Sequence, residues 1–203
     1  MLDNLRGRAD DVTSDDKIPL VILKLEKSLK KLDVISETLK REDNQLFERC
    51  VEARLKGDNI HAMMYANECA EIRKIALHVV SSKYALEQMV LRLHTVTKLG
   101  SILVTVTPVV DVIKETQNRL VGIVPSIANN LNDANKILVD SLSKMGTSDL
   151  RTATQKPLVY SSGAEKVLEE AKAAAEDTIR EKFPKIPGTL KDIVKQESEI
   201  LTN

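Results

Sequence analysis

The chain has 203 residues, of which 2% are aromatic and 30% are charged, and it contains no tryptophan. Its 30 basic and 30 acidic side chains cancel, which argues against a general nucleic-acid binder, because such proteins depend on neutralising phosphates. Abundant charge with few aromatic, glycine and proline residues is typical of long helices and argues against a globular α/β enzyme.

The N-terminal part predicts one long helix after a polar segment. Residues 1–16 are acidic and polar, and we expect a flexible N-terminal segment there. From Lys17 to Lys56 there is no glycine, and Pro19 suits the first turn of a helix. An apolar side chain recurs every seven residues, which predicts a helix that packs along a second helix. This heptad seam consists of Ile18, Leu25, Leu32, Leu39, Leu46 and Ala53.

A tight turn and a returning helix follow. Gly57 suits a left-handed helix C-cap, and Asp58 or Asn59 can cap the next helix. We therefore predict an antiparallel hairpin over residues 17–107. Apolar residues of the second helix are again three and four apart, and its seam reads Ile72, Ile75, Val79, Leu86, Met89, Leu93, Val96 and Leu103. We expect the hairpin to be packed through Leu25, Leu32, Leu39 and Leu46 on one arm and Ile72, Val79, Leu86 and Leu93 on the other.

Shorter helices are predicted after the hairpin. Pro108 and Pro125 should each bend or restart a helix, so residues 109–146 are expected to form hinged helices. Together with the hairpin they give an all-α core over residues 17–146.

The C-terminal region is expected to be a flexible tail with one regulatory helix. Residues 147–163 are rich in Ser and Thr and are predicted to be a linker. Residues 164–203 then form a regulatory region, in which Val167, Leu168, Ala171, Ala175 and Ile179 mark one face of an alanine-rich helix. We expect that helix to fold back on the hairpin and to hold the subunit monomeric.

No catalytic, metal or cofactor site is indicated. His61, His78 and His94 are each about sixteen residues apart, which gives no helical pair of ligands. No nucleophile elbow, zinc-protease, phosphate-binding or dinucleotide-binding motif occurs. Cys50 and Cys69 lie on helical apolar patterns and are interpreted as small buried side chains. We therefore predict a protein that is not an enzyme and has no cofactor.

The first helix carries an excess of basic residues. Between Lys17 and Arg41 seven bases face three acids. The candidate membrane-binding residues are Lys17, Lys24, Lys27, Lys30, Lys31 and Arg41. A cationic helix face can lie along anionic lipid headgroups, each base contributing about 1 kcal/mol. An ordinary solvated face gives the same pattern, so both readings stay open.

The stretch "FPKIP", residues 183–187, has two further readings. Prolines flanking apolar side chains favour an extended backbone that docks into a groove. They also suit a plain helix stop. No apolar run is long enough to cross a bilayer, and the N-terminus has none of signal-peptide length. We therefore expect a cytosolic protein that touches a membrane only from the side.

The order of these parts resembles an ESCRT-III protein of the archaeal CdvB cell-division group. The similarity covers Ile18 to Met145, and its most specific strings are "YANE" and "EIR", within residues 65–73, supported by "ALEQMVLRL", residues 85–93.

This resemblance implies a fold, an activity and partners. Such proteins form filaments on the cytoplasmic face of the membrane at the division site, with themselves and with sister paralogues, and constrict and sever membrane necks. A AAA ATPase removes subunits through an MIT domain that grips a C-terminal proline motif. Here Phe183, Pro184, Ile186 and Pro187 are similar to that motif, with Phe183 where leucine is usual. The alternative is a soluble coiled-coil adaptor without membrane activity.

Overall fold

A computed structural model describes residues 14–99, 102–144 and 162–185, and the described parts are helical without any strand. The all-α prediction is therefore confirmed. The described helices are α1 (Ser14–Leu55), α2 (Asn59–Leu99), α3 (Ile102–Leu120), α4 (Pro125–Lys144) and α5 (Ser162–Lys182). No helix in these ranges is long and apolar enough to cross a membrane.

The turn between α1 and α2 is built from backbone hydrogen bonds and one glycine. Gly57 has a φ of 75°, which a residue with a side chain rarely adopts. Its N–H donates to the Arg54 carbonyl at 3.0 Å, and the Asp58 N–H donates to the Ala53 carbonyl at 2.9 Å. These two bonds form a Schellman motif, which closes α1 and sends the chain back.

Asp58 caps the start of α2. Its Oδ1 accepts a hydrogen bond from the His61 backbone N–H at 3.1 Å, and its Oδ2 lies 2.6 Å from His61 Nδ1. The backbone bond, followed by the contact with the His61 ring, lowers the pKa of the Asp58 carboxyl. Capping satisfies an amide that has no partner inside the helix and fixes where α2 begins.

The core of the molecule is a four-helix bundle at one end of the hairpin. Helix α3 packs on α2, and α4 packs on both α3 and α1. Val124 accepts hydrogen bonds from the amides of Ile127 and Ala128, and Pro125 takes the first position of α4. The largest fully buried side chains of the bundle are Leu25, Leu32, Leu86, Met89, Leu93, Ile113, Leu120, Ile127, Leu131, Leu138 and Leu142.

The hairpin continues beyond the bundle. Helix α1 has 42 residues and α4 has 20, so α1 is longer by about 33 Å. This difference explains how burial is distributed among the expected packing residues. Leu25, Leu32, Val79, Leu86 and Leu93 are fully buried, whereas Leu39, Leu46 and Ile72 are half-buried.

The helix boundary near Pro108 differs from the prediction. Helix α2 ends at Leu99, and Pro108 lies inside α3. A proline inside a helix costs about 3 kcal/mol. Val106, Val109 and Val110 surround it and are buried in the bundle, and this packing offsets the lost hydrogen bond.

Helix α5 is folded back along α2, and it also contacts α3. At its start, a Cβ placed at Gly163 would lie 3.7 Å from Cγ of Pro108. Near its end, the hydroxyls of Thr178 and Tyr84 are 2.9 Å apart. The buried face of α5 consists of Ala164, Val167, Leu168, Ala171 and Ala175, while Ile179 is half-buried.

We predict that Leu86→Ala lowers the free energy of unfolding by about 2–5 kcal/mol, because it removes a fully buried side chain and leaves a cavity. Leu91→Ala, at an exposed position of the same helix, should change it by less than about 0.5 kcal/mol. Urea unfolding followed by circular dichroism measures both. Equal effects would contradict the placement of α2 in the bundle.

Candidate functional site

The face of α1 that points away from the bundle is partly apolar and partly basic. Its positions follow one another by three, four or seven residues, so they share one side of the helix. All are exposed, and two of the apolar ones are far from covered: Leu23 is 61% and Val34 is 67% exposed. We call this surface the outer stripe; it consists of Leu20, Leu23, Lys27, Lys30, Val34 and Arg41.

The other candidate cations lie at the flank of α1. Lys17, Lys24 and Lys31 are half-buried, because each directly precedes a buried leucine or isoleucine of the heptad seam. Lys24 Nζ lies 3.8 Å from Asp133 Oδ2 on α4. The six predicted residues are thus divided between two faces, and Lys27, Lys30 and Arg41 are the exposed ones.

Two acidic residues beside the outer stripe are engaged by α2, while Glu37 is exposed on the same side of α1, between Val34 and Arg41. Asp33 Oδ1 lies 2.5 Å from Lys83 Nζ, and this bond raises the pKa of Lys83. Glu26 Oε1 lies 3.7 Å from His94 Nε2. Within the described residues, neither Lys27 nor Lys30 has an ion-pair partner. The positive charges of Lys27 and Lys30 therefore face solvent.

The closed end of the hairpin carries a second apolar surface. Leu55, Ile60, Met63 and Met64 are all exposed there, and Ile60 is 82% exposed. A shallow cavity of about 170 Å³ lies beside them, lined in part by Cys50, Ala62 and Ala66. Exposed apolar side chains clustered in this way make the end of the hairpin a candidate contact site. We call it the tip patch.

The start of the candidate C-terminal motif lies against the hairpin. Phe183 is 7% exposed, Pro184 is half-buried and Lys185 is exposed. The guanidinium carbon of Arg73 lies 5.9 Å from the centre of the Phe183 ring. Ile186 and Pro187 fall outside the described residues. The motif thus has at least one side chain that is covered by the same chain.

Arg73 has a second partner inside the hairpin. Its Nε and one terminal nitrogen each donate to an oxygen of Asp43 at 2.8 Å, and the Asp43 side chain is fully buried. A buried carboxylate needs such a two-pronged partner, because removal from water is costly.

Both cysteines are buried and lie between the hairpin arms. The Cys50 thiol donates to the Ala62 carbonyl at 3.3 Å, and the Cys69 thiol approaches the Asp43 carbonyl at 3.7 Å. Burial, reinforced by the nearby Asp43 charge, raises the pKa of Cys69 to about 11. Within the described ranges no three residues are grouped to hold a metal ion. These thiols therefore behave as packing groups.

The outer stripe contains residues that the sequence analysis missed. Leu20, Leu23 and Val34 recur at helical spacing, but the stronger heptad seam on the opposite face hid this second apolar pattern. The contact of Phe183 with Arg73 has no signal in the sequence, because the two residues are 110 positions apart.

Two curated proteins of Sulfolobus acidocaldarius are similar to this chain. Cell division protein B1 is 39% identical over 158 residues, which is 78% of this chain and 73% of that protein. Cell division protein B is 30% identical over 176 residues, covering 87% of this chain and 67% of that protein. No family model and no solved structure matches the chain.

We predict that Cys69 in the native protein reacts slowly with iodoacetamide at pH 8, since a thiol with a pKa of about 11 is only about 0.1% ionised there. The rate should rise as the pH approaches 11. In urea the same thiol should react at least tenfold faster. A Cys50→Ala variant leaves a single thiol to follow by mass spectrometry. Fast native labelling would contradict the closed hairpin.

Proposed function

The chain belongs to the Cell division protein B (CdvB) family, and from that premise we propose that it is a polymer-forming subunit that remodels membranes during archaeal cell division. The relatives named above are cell-division proteins. In this proposal the chain is an ESCRT-III-like component that works without catalysis at the cytoplasmic face of the division site and helps to sever the membrane neck.

The outer stripe is the observation that carries the proposal. Lys27, Lys30 and Arg41 supply charge for anionic headgroups, at about 1 kcal/mol for each base near the surface. Leu20, Leu23 and Val34 add apolar area that can enter the boundary between headgroups and acyl chains. Exposed leucines and cations in one row support the membrane-binding reading over an ordinary solvated face.

Polymer formation is supported by the exposed ends and faces of the hairpin. The tip patch offers apolar surface that a neighbouring subunit can cover. The arm of the hairpin beyond the bundle has room for side-by-side contacts, since α3 and α4 do not extend along it. We propose that copies of this chain and sister subunits meet through these surfaces.

Helix α5 is proposed to control assembly. It lies on α2 and α3 and buries its apolar face there, so it occupies surface that a neighbour would otherwise meet. We propose that this closed state is the monomer, and that opening of α5 permits assembly. A AAA ATPase with an MIT domain would remove subunits through Phe183, Pro184, Ile186 and Pro187.

We predict that Lys27→Gln/Lys30→Gln weakens binding to vesicles of anionic lipid by about 30-fold, since two bases near the surface contribute about 2 kcal/mol. Co-sedimentation with phosphatidylserine-containing vesicles measures this, and binding should fall as salt is raised. The matched control is Lys166→Gln/Lys172→Gln, which removes the same charge from the exposed face of α5.

Two results would contradict the proposal. Equal weakening by both double variants would show that net charge matters and the outer stripe does not. Absence of binding by the unmodified chain, together with a fixed small oligomer by light scattering that lipid does not alter, would favour the soluble adaptor.

We predict that removal of residues 147–203 speeds assembly on anionic vesicles, because it uncovers the surface of α2 that α5 occupies. Turbidity and electron microscopy follow the rate. The matched control ends the chain after Lys185, which retains α5 and should assemble at the rate of the full chain. If both truncations assemble at the same rate, the fold-back of α5 does not limit assembly.

A further inference from the structure

Arg73 has partners from two different parts of the chain. On one side its guanidinium pairs with Asp43 of α1, and on the other it lies 5.9 Å from the ring centre of Phe183, directly after α5. The first contact joins the two arms of the hairpin. The second joins the hairpin to the C-terminal region.

The pair with Asp43 holds Arg73 in place whether or not Phe183 is present. The Asp43 side chain is fully buried and the Arg73 side chain is 16% exposed, so their separation would leave a charge without a partner inside the protein. A fork-shaped pair of hydrogen bonds also fixes the plane of the guanidinium. The hairpin therefore offers a preorganised cation to an incoming ring.

Phe183 is positioned for this contact by the last turn of α5. Its N–H donates to the Ile179 carbonyl at 3.1 Å, so the backbone of Phe183 continues the hydrogen-bond pattern of α5 by one residue. The Tyr84–Thr178 hydrogen bond lies less than two turns earlier and fixes the rotation of α5. Exposure rises at once beyond the ring, from a buried Phe183 to a half-buried Pro184 and an exposed Lys185.

We propose that Asp43 and Arg73 form a docking site on the hairpin for Phe183, and that a partner which binds the C-terminal motif must compete with this site. The identity of that partner rests on the proposed function; the docking site does not. One phenylalanine ring cannot lie against Arg73 and inside a partner's groove at the same time. Docking therefore lowers the apparent affinity of the closed subunit for the partner.

The ring accounts for a feature of the motif. Leucine would provide an apolar anchor for a groove but no π face for a guanidinium. Phenylalanine serves both partners. Because the coupling is reciprocal, a partner that captures Phe183 also favours release of α5 from α2.

The test is hydrogen–deuterium exchange of the full chain with Arg73→Lys. Lysine keeps the charge beside Asp43 but loses the planar fork that faces the ring. Amides of the last turn of α5, including that of Phe183, should exchange about fivefold faster, the equilibrium factor of one cation–π contact. Unchanged exchange in this turn would overturn the docking site.

Two further variants separate docking from general damage. Phe183→Leu leaves the hairpin untouched and should raise exchange in the same turn by a similar factor. Lys74→Ala, beside Arg73 but paired with the exposed Glu71, should leave it unchanged. Faster exchange throughout α1 and α2 in the Arg73 variant would mean that the hairpin itself is disturbed; the Phe183 variant then decides alone.

Competition is measured with an isolated MIT domain from the division ATPase and a synthetic peptide of residues 178–192. The peptide should bind more tightly than the full chain, and Arg73→Lys should bring the full chain toward the affinity of the peptide. Equal affinities of peptide, full chain and variant would overturn the competition. A peptide that does not bind at all refutes the ATPase partner in the proposed function, while the exchange experiment still judges the docking site.

Discussion

The apolar seam between α1 and α2 is the interaction on which the rest of the structure depends. Leu25, Leu32, Leu86 and Leu93 lose all contact with solvent there, and every other described helix packs on one of these two arms. Burial of each leucine contributes about 1.5–3 kcal/mol relative to exposure. The seam therefore holds the bundle together at one end and carries the outer stripe, the tip patch and the docking site of Phe183 along its length.

Much of this fold can be predicted from local patterns in the sequence. Heptad spacing identifies the hairpin, Gly57 identifies its turn, and Pro125 marks the start of α4, because each rests on interactions between residues near in sequence. Pro108 gives a wrong helix boundary, because its effect in the fold depends on residues that are distant in sequence. Its local effect is to interrupt a helix, and only the buried valines around it in the bundle overcome that effect.

The candidate surfaces are harder to predict because they depend on what remains uncovered after packing. All lysines of α1 look alike in the sequence, yet α4 takes Lys24 as a partner and leaves Lys27 and Lys30 in solvent. The apolar part of the outer stripe becomes visible only when the bundle fails to cover it. The meeting of Arg73 with Phe183 requires the path of α5, which no local pattern specifies.

Asp43 has a consequence for how the molecule changes shape. The buried Asp43 carboxylate is stable only where Arg73 lies opposite it. If one arm slid along the other by a heptad, Asp43 would remain buried without a charged partner. The two arms therefore keep a single register, and the hairpin behaves as one rigid unit.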